Sequence, residues 1–229
     1  VMSGTDGNDN FHAAGGSAVV YNGRSGDDYI AGTMGDDKLY GDDGDDTIYG
    51  GEGNDLLVGG KGNDELSGFR GDDTYIFNKG DGSDMISECG GTDTIKFGEG
   101  ITPDDVDVKR VYKSGSDYGY VLELSLKGTS DKISVKNYFG YYSYSGFHKP
   151  SPESLIEKVV FADGTVWTQD TISSKVHNIT GTEDSETIQA FDDDAVTYYG
   201  LGGNDNLYGS KSDDKLYGDD GNDHIVGYG

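Results

Sequence analysis

The sequence predicts an all-β chain: a parallel β-roll, a small β-rich capping domain, and the start of a second β-roll. Three observations carry this. Six aspartates, Asp28, Asp37, Asp46, Asp55, Asp64 and Asp73, recur every nine residues. Each has a glycine two positions before it and a large apolar residue two positions after it, in order Ile30, Leu39, Ile48, Leu57, Leu66 and Tyr75. The opening of the chain also returns near its end. Asp36-Asp37-Lys38-Leu39-Tyr40-Gly41-Asp42-Asp43-Gly44 recurs unchanged as Asp213-Asp214-Lys215-Leu216-Tyr217-Gly218-Asp219-Asp220-Gly221, an offset of 177 (213 − 36). These periods divide the chain into residues 1–97, 98–176 and 177–229.

Each nine-residue unit reads as half a coil. Glycines such as Gly50, Gly51 and Gly53 allow positive φ and close backbone approach, so six residues can turn tightly with carbonyls directed inward. The last three, such as Leu56-Leu57-Val58, form a short strand whose middle side chain faces the interior, because side chains alternate along a strand. Two units complete a coil. One apolar residue in nine is too little burial to offset the ordering of nine backbone residues. Stacking also brings aspartates eighteen residues apart face to face, which is unfavourable without a counter-ion. A hard cation that takes six to eight oxygens resolves both problems, and carboxylates with backbone carbonyls are the usual ligands of calcium.

Gly50-Gly51-Glu52-Gly53-Asn54-Asp55-Leu56-Leu57-Val58 matches every fixed position of Gly-Gly-x-Gly-x-Asp-x-apolar-x, and the array resembles the RTX nonapeptide repeats of secreted bacterial proteins. The resemblance implies ions held between stacked units. The upstream unit would give carbonyls two and four and its carboxylate, the downstream unit carbonyls one and three and its own. Asp28 with the carbonyls of Arg24 and Gly26 would then face Asp46 with those of Gly41 and Asp43. Asp37, with Thr33 and Gly35, would face Asp55, with Gly50 and Glu52. Asp46, with Asp42 and Gly44, would face Asp64, with Gly59 and Lys61. Asp55, with Gly51 and Gly53, would face Asp73, with Gly68 and Arg70. Late in the chain, Leu201, Gly203 and Asp205 would face Gly218, Asp220 and Asp223, with Asp214 on the other side of the coil. At least four calcium ions are thus expected in the first roll. Arg24 and Thr33 stand at glycine positions, a departure of little consequence if only their carbonyls are used.

The ends are less regular. Asp9 lies one residue out of register with Asp28, and the unit Ala13 to Asn22 has no acid at the ligand position. After Asp73 the chain is stretched by two residues before Asp84 and Asp93 resume the rhythm. On register alone Asp46, shared by two ions, should matter more than Asp93. EF-hand loops are excluded because they place glycine after the third acid and glutamate at position twelve. A disordered acidic linker would not keep an apolar residue at every ninth position. Tyr40 and Tyr49 read as an outer-face ladder.

In residues 98–176 the nine-residue period gives way to strands. Thr102-Pro103-Asp104-Asp105 reads as a capped helical turn. Val106 to Val111, Tyr120 to Leu126 and Lys132 to Val135 suggest an antiparallel meander, and Leu155 to Trp167 a hairpin on Ala162-Asp163-Gly164-Thr165. Gly100-Ile101-Thr102, Ile156-Glu157 and Phe161-Ala162-Asp163-Gly164-Thr165-Val166-Trp167 resemble the segment that follows RTX arrays in haemolysin-type calcium-binding proteins, and imply a cap over the last coil. The aromatic run at 138–147 offers Tyr138, Tyr141, Tyr142 and Tyr144 as candidate partner-binding residues, for instance toward a glycan. The competing reading packs them between cap and roll.

With 43 acidic and 17 basic residues among 229, the net charge of −26 opposes binding to nucleic acid or anionic membrane. Cys89, the sole cysteine, allows no internal disulfide and reads as a small, partly buried residue. No apolar run is long enough to span a membrane, no signal peptide is evident, and Val1 suggests a segment of a longer chain. His12, His148, His177 and His224 have no metal-ligand spacing or nucleophile beside them, and no catalytic motif occurs. The expectation is a non-catalytic calcium-binding module. The family resemblance further implies an extracellular or cell-surface location, reached through type I secretion machinery in an unfolded state, within a toxin, adhesin, protease or lipase.

Overall fold

The computed structural model describes residues 1–113, 119–139, 141–143, 146–148, 155–176, 178–190 and 195–228. The first roll contains β1 (Met2–Ser3), β2 (Asn10–His12), β3 (Val20–Ser25), β4 (Tyr29–Ala31), β5 (Lys38–Asp43), β6 (Thr47–Glu52), β7 (Leu56–Lys61), β8 (Glu65–Arg70), β9 (Thr74–Phe77), β10 (Ser83–Ile86) and β11 (Asp93–Phe97). Odd strands pair in parallel in one sheet and even strands in the other, so each coil contributes one strand to each face. Leu39 pairs with Leu57 and Ile48 with Leu66, the eighteen-residue register expected of two units per coil.

Between the sheets, Ile30, Leu39, Ile48 and Leu57 are wholly buried, and Leu66 and Tyr75 nearly so. A Cβ at Gly60 or Gly62 would collide with the carbonyl oxygen of Asp42 or Gly44 one coil below, so close stacking requires glycine there. On the outside, Tyr49 meets Tyr29 edge-on and Phe69 at a tilt, with 5.6 Å between ring centres on either side. Tyr40 is not in such a ladder, since its neighbours across the sheet are Asn22 and Val58. The two-residue stretch is absorbed beyond Phe77, where Asn78 N–H bonds Asp81 Oδ2 (2.7 Å) and Gly62 bridges Gly82. Downstream pairing then runs at an offset of twenty, as in Met85 with Glu65.

The intervening segment extends both sheets. After a 3-10 turn, Pro103–Asp105, in which Asp105 accepts the Thr102 N–H (2.8 Å) and hydroxyl (2.7 Å), come β12 (Val106–Lys113), β13 (Gly119–Leu126) and β14 (Lys132–Val135). These three form the expected antiparallel meander, and β14 adds in parallel to β10. A small hairpin, β15 (Tyr141–Ser143) with β16 (Gly146–His148), follows. β17 (Ile156–Val160) adds in parallel to β11 and turns back through Ala162-Asp163-Gly164-Thr165 into β18 (Val166–Thr168), as the Asp-Gly signal predicts. Phe77, Phe97, Phe161 and Trp167 form a chain of rings at 6.0, 5.3 and 4.7 Å that fills this end of the core. A short helix, α1 (Gln169–Lys175), capped by Thr168 and anchored by buried Ile172, was not evident in the sequence.

One expectation needs correction. Tyr138 is 4% exposed and donates its hydroxyl to the Ile156 carbonyl (3.2 Å), so it packs the core and offers no binding surface. Tyr144 lies outside the described residues, as do the side chains of Tyr141 and Tyr142.

The second roll comprises β19 (Asn178–Thr180), β20 (Thr187–Gln189), β21 (Thr197–Tyr199), β22 (Asn206–Tyr208), β23 (Lys215–Tyr217) and β24 (His224–Val226). β19 pairs in parallel with β12, at the free edge of the meander. One 11-stranded sheet therefore runs from β2 through the meander to β23. Leu57→Ala should destabilise the metal-loaded chain by about 2–5 kcal/mol, and Tyr49→Ala on the outer ladder by about 1 kcal/mol or less; urea unfolding at saturating calcium checks both.

Candidate metal centre

The nine-residue rhythm becomes a ladder of carboxylates along each turn-lined edge of the roll. The backbone N–H of each ligand-position residue donates to Oδ1 of the carboxylate one coil on. This distance is 2.8 Å from Asp9 to Asp28, Asp28 to Asp46, Asp37 to Asp55 and Asp46 to Asp64, and 2.7 Å from Asp55 to Asp73. The ladder survives the stretched region, from Asp64 to Asp84 (3.2 Å) and Asp73 to Asp93 (2.9 Å). It then crosses into the intervening segment, where Asp93 N–H donates to Glu157 Oε2 at 2.7 Å. In the second roll it runs from Glu186 to Asp205 (2.9 Å) and from Asp205 to Asp223 (3.0 Å).

One oxygen of each rung is thus engaged, and the other decides the chemistry. Among the described residues, Oδ2 of Asp28, Asp46, Asp55, Asp64, Asp73, Asp93 and Asp205 is buried with no hydrogen-bond partner. A buried anionic oxygen without a donor is costly. Beside several of these oxygens lies a backbone carbonyl of the next coil. A Cβ at Gly23 would meet both Asp28 Oδ2 and Gly41 O; at Gly41, Asp46 Oδ2 and Gly59 O; at Gly50, Asp55 Oδ2 and Gly68 O; at Gly200, Asp205 Oδ2 and Gly218 O. Two acceptors that converge with no donor between them suit a hard cation, and the donor set is all oxygen. The side chains of Arg24, Asp42, Asp43, Glu52, Lys61, Arg70 and Asp220 are exposed, so these positions can offer carbonyls only.

Burial, followed by the charge of stacked neighbours, pushes these carboxyls up: Asp46, Asp55 and Asp93 to about 6, Asp64 and Asp73 to about 7, and Asp84 to about 8. Backbone N–H donors act against this and lose.

Cys89 before Asp93 apart, the second position sorts the turns of the described carboxylates into two kinds. Arg24 (φ 89°), Asp42 (77°), Phe69 (71°) and Leu201 (71°) are left-handed, as are Gly51 and Gly60, and the aspartate four residues on keeps a free Oδ2. Thr33, a β-branched residue, is not left-handed. Its N–H (2.5 Å) and hydroxyl (3.1 Å) both bond Asp37 Oδ2, and Gly35 N–H closes on the same hydroxyl (3.0 Å). Thr5 latches Asp9 in the same way, Thr182 latches Glu186, and Ser210 latches Asp214. The expectation that Thr33 replaces glycine without consequence is therefore corrected: a hydroxyl residue here satisfies the carboxylate from within its own turn.

Asp93 is fully buried, accepts from Asp73 and donates to Glu157, so it forms a rung of the ladder as Asp46 does. Glu157, Glu186 and Glu88 escaped notice because none is an aspartate at the nine-residue position. Glu186 was within reach, since it stands opposite Asp9 at the offset of 177 (186 − 9). Cys89 is exposed rather than partly buried; its thiol donates to the Phe69 carbonyl (3.4 Å) and is held above the usual thiol range by desolvation and by Glu88.

Residues 22–57, 49–84 and 199–229 match the RTX calcium-binding nonapeptide repeat, and residues 122–171 match the haemolysin-type calcium binding protein related domain. The chain is similar to the crystal structure of the extracellular lipase LipA from Serratia marcescens at 17% identity and a TM-score of 0.23, over 96% of this chain and 28% of that one. The chain therefore spans just over a quarter of that structure's length. No curated protein matches it.

Carboxyls raised in the folded state stabilise it below their unfolded pKa, near 4, and that contribution is lost as pH rises through about 6–7. With excess chelator, strand content by circular dichroism should therefore increase as pH falls from about 8 to about 4.

Proposed function

We propose, for a chain that carries RTX calcium-binding repeats and a haemolysin-type calcium binding protein related domain, that it is a calcium-dependent folding module of a secreted bacterial protein. One observation carries the reading: among the described residues, buried carboxylate oxygens with no hydrogen-bond partner recur along the stack. Calcium bound there would offset both the stacked negative charge and the thin core. In the first roll the ions would lie at Asp28–Asp46, Asp46–Asp64 and Asp55–Asp73, and continue at Asp64–Asp84 and Asp93–Glu157. The Asp37–Asp55 position would be weaker because Thr33 already holds Asp37.

When bound, calcium neutralises the paired carboxylates and links consecutive coils. The chain's own residues orient the oxygens through the N–H ladder, and the left-handed second positions leave the carboxylate oxygen four residues on without a local donor. In this reading residues 1–97 and 177–229 are ion-binding rolls, and 98–176 joins them through main-chain pairing. The module is non-catalytic, and works as a scaffold and folding switch. A low-calcium interior would keep it unfolded for passage through type I secretion machinery, and calcium outside would fold it. No helix among the described residues is long and apolar enough to cross a membrane.

Metal-linked folding is tested by circular dichroism and thermal unfolding. Strand signal and a cooperative transition should appear with millimolar calcium at neutral pH and be absent in excess chelator; equal strand content in both sinks the reading. Thr33→Gly should free Asp37 and add about one calcium equivalent in a titration against the unaltered chain.

A further inference from the structure

We propose that Asp73, Glu88 and Asp93 form a three-carboxylate metal site, distinct from the two-carboxylate sites of the regular coils and selective for cations of higher charge. The inference deepens the calcium reading and rests on it. Counting from Asp93, Glu88 occupies the first position of its unit, which holds glycine in the regular units at Gly23, Gly32, Gly41, Gly50, Gly59 and Gly68. At those glycines a Cβ would collide with the carboxylate oxygen of the same unit, so the repeat normally excludes a side chain. Here one is admitted, and it ends in a carboxylate.

The ligand oxygens of Asp73, Glu88 and Asp93 lie within 4.8 Å of one another, and all three residues are buried. The second observation is independent of that clustering: Oδ2 of Asp73 and of Asp93 has no hydrogen-bond partner, at 1% and 0% residue exposure. The remaining oxygens are held from the protein side. Glu88 Oε1 accepts the Gly68 N–H (3.0 Å) and Oε2 the Cys89 N–H (3.2 Å), while Oδ1 of Asp73 and of Asp93 accept from the ladder. None of the ion pairs among the described residues involves the three acids. Three converging carboxylates with no protein cation beside them are one charge more negative than a regular rung pair, and ligand charge count tunes affinity in oxygen sites. The Tyr75 hydroxyl accepts the same Gly68 N–H (2.6 Å), which puts a phenol ring beside the site as an optical reporter.

Terbium is the probe, with the full chain and tyrosine-sensitised luminescence. The first equivalent should bind tightest and emit, and Tyr75→Phe should dim that emission without weakening binding. Glu88→Gln should weaken the first equivalent by about tenfold or more, with calcium-induced folding by circular dichroism retained. Glu99→Gln, at an exposed acid outside the ladder, should leave the first equivalent unchanged. If Glu88→Gln binds that equivalent as the unaltered chain does, the site is overturned. The same holds if Glu88→Gln folds more readily in chelator with unchanged ion uptake, because a protonated Glu88 would then be filling the space of an ion. An unaltered chain that folds without taking up calcium overturns the calcium reading itself, an outcome separate from these.

Discussion

The structure depends on the stacking of like-charged carboxylates in a space that excludes water. Each aspartate is held by the N–H of the residue one coil below, which fixes the orientation of the side chain and leaves its second oxygen inside the protein. That oxygen has no donor, and its neighbours in the stack repel it. The rest follows: glycine where coils touch, left-handed backbone at the second position, and an apolar interior one residue wide. In the calcium reading proposed above, a chain built this way gains its stability from the cation between the rungs, and ion binding and folding are one event.

Much of this was legible in residue spacing. The nine-residue period placed the buried residues from Ile30 to Tyr75 and the carboxylates that face one another, because a strict period forces each unit into the environment of the one before. The meander and the Asp-Gly hairpin were legible from alternation and turn chemistry, which are local. What escaped depends on contacts that do not repeat. Glu157 joins the ladder from sixty-four residues beyond Asp93 (157 − 93), through sheet pairing that no spacing announces. Glu88 was hidden by the assumption that only aspartate at the sixth position matters. Thr33 was read as a tolerated glycine substitute, when its hydroxyl competes for the carboxylate its turn was meant to present.

That competition gives the array a grammar written at the second position of each unit. Glycine, or a residue tolerated in left-handed backbone, leaves the carboxylate to an ion. Threonine or serine withdraws it into a local hydrogen bond. Thr5 and Thr33 in the first roll, and Thr182 and Ser210 in the second, occupy matching places at the offset of 177 (182 − 5 and 210 − 33), so the latched turns fall at corresponding positions of the two rolls.

The joint between the rolls has a mechanical consequence. Along the first roll every coil is tied to the next by two sheets, which resist bending in either direction as the two flanges of a beam do. At the meander only one continues: the 8-stranded sheet ends at β18, the 3-stranded sheet of the second roll begins afresh at β20, and the 11-stranded sheet alone passes through. Bending stiffness there rests on a single flange backed by α1. A series of such units would behave as a rod with a compliant line at each joint, stiff between joints once its ions are in place.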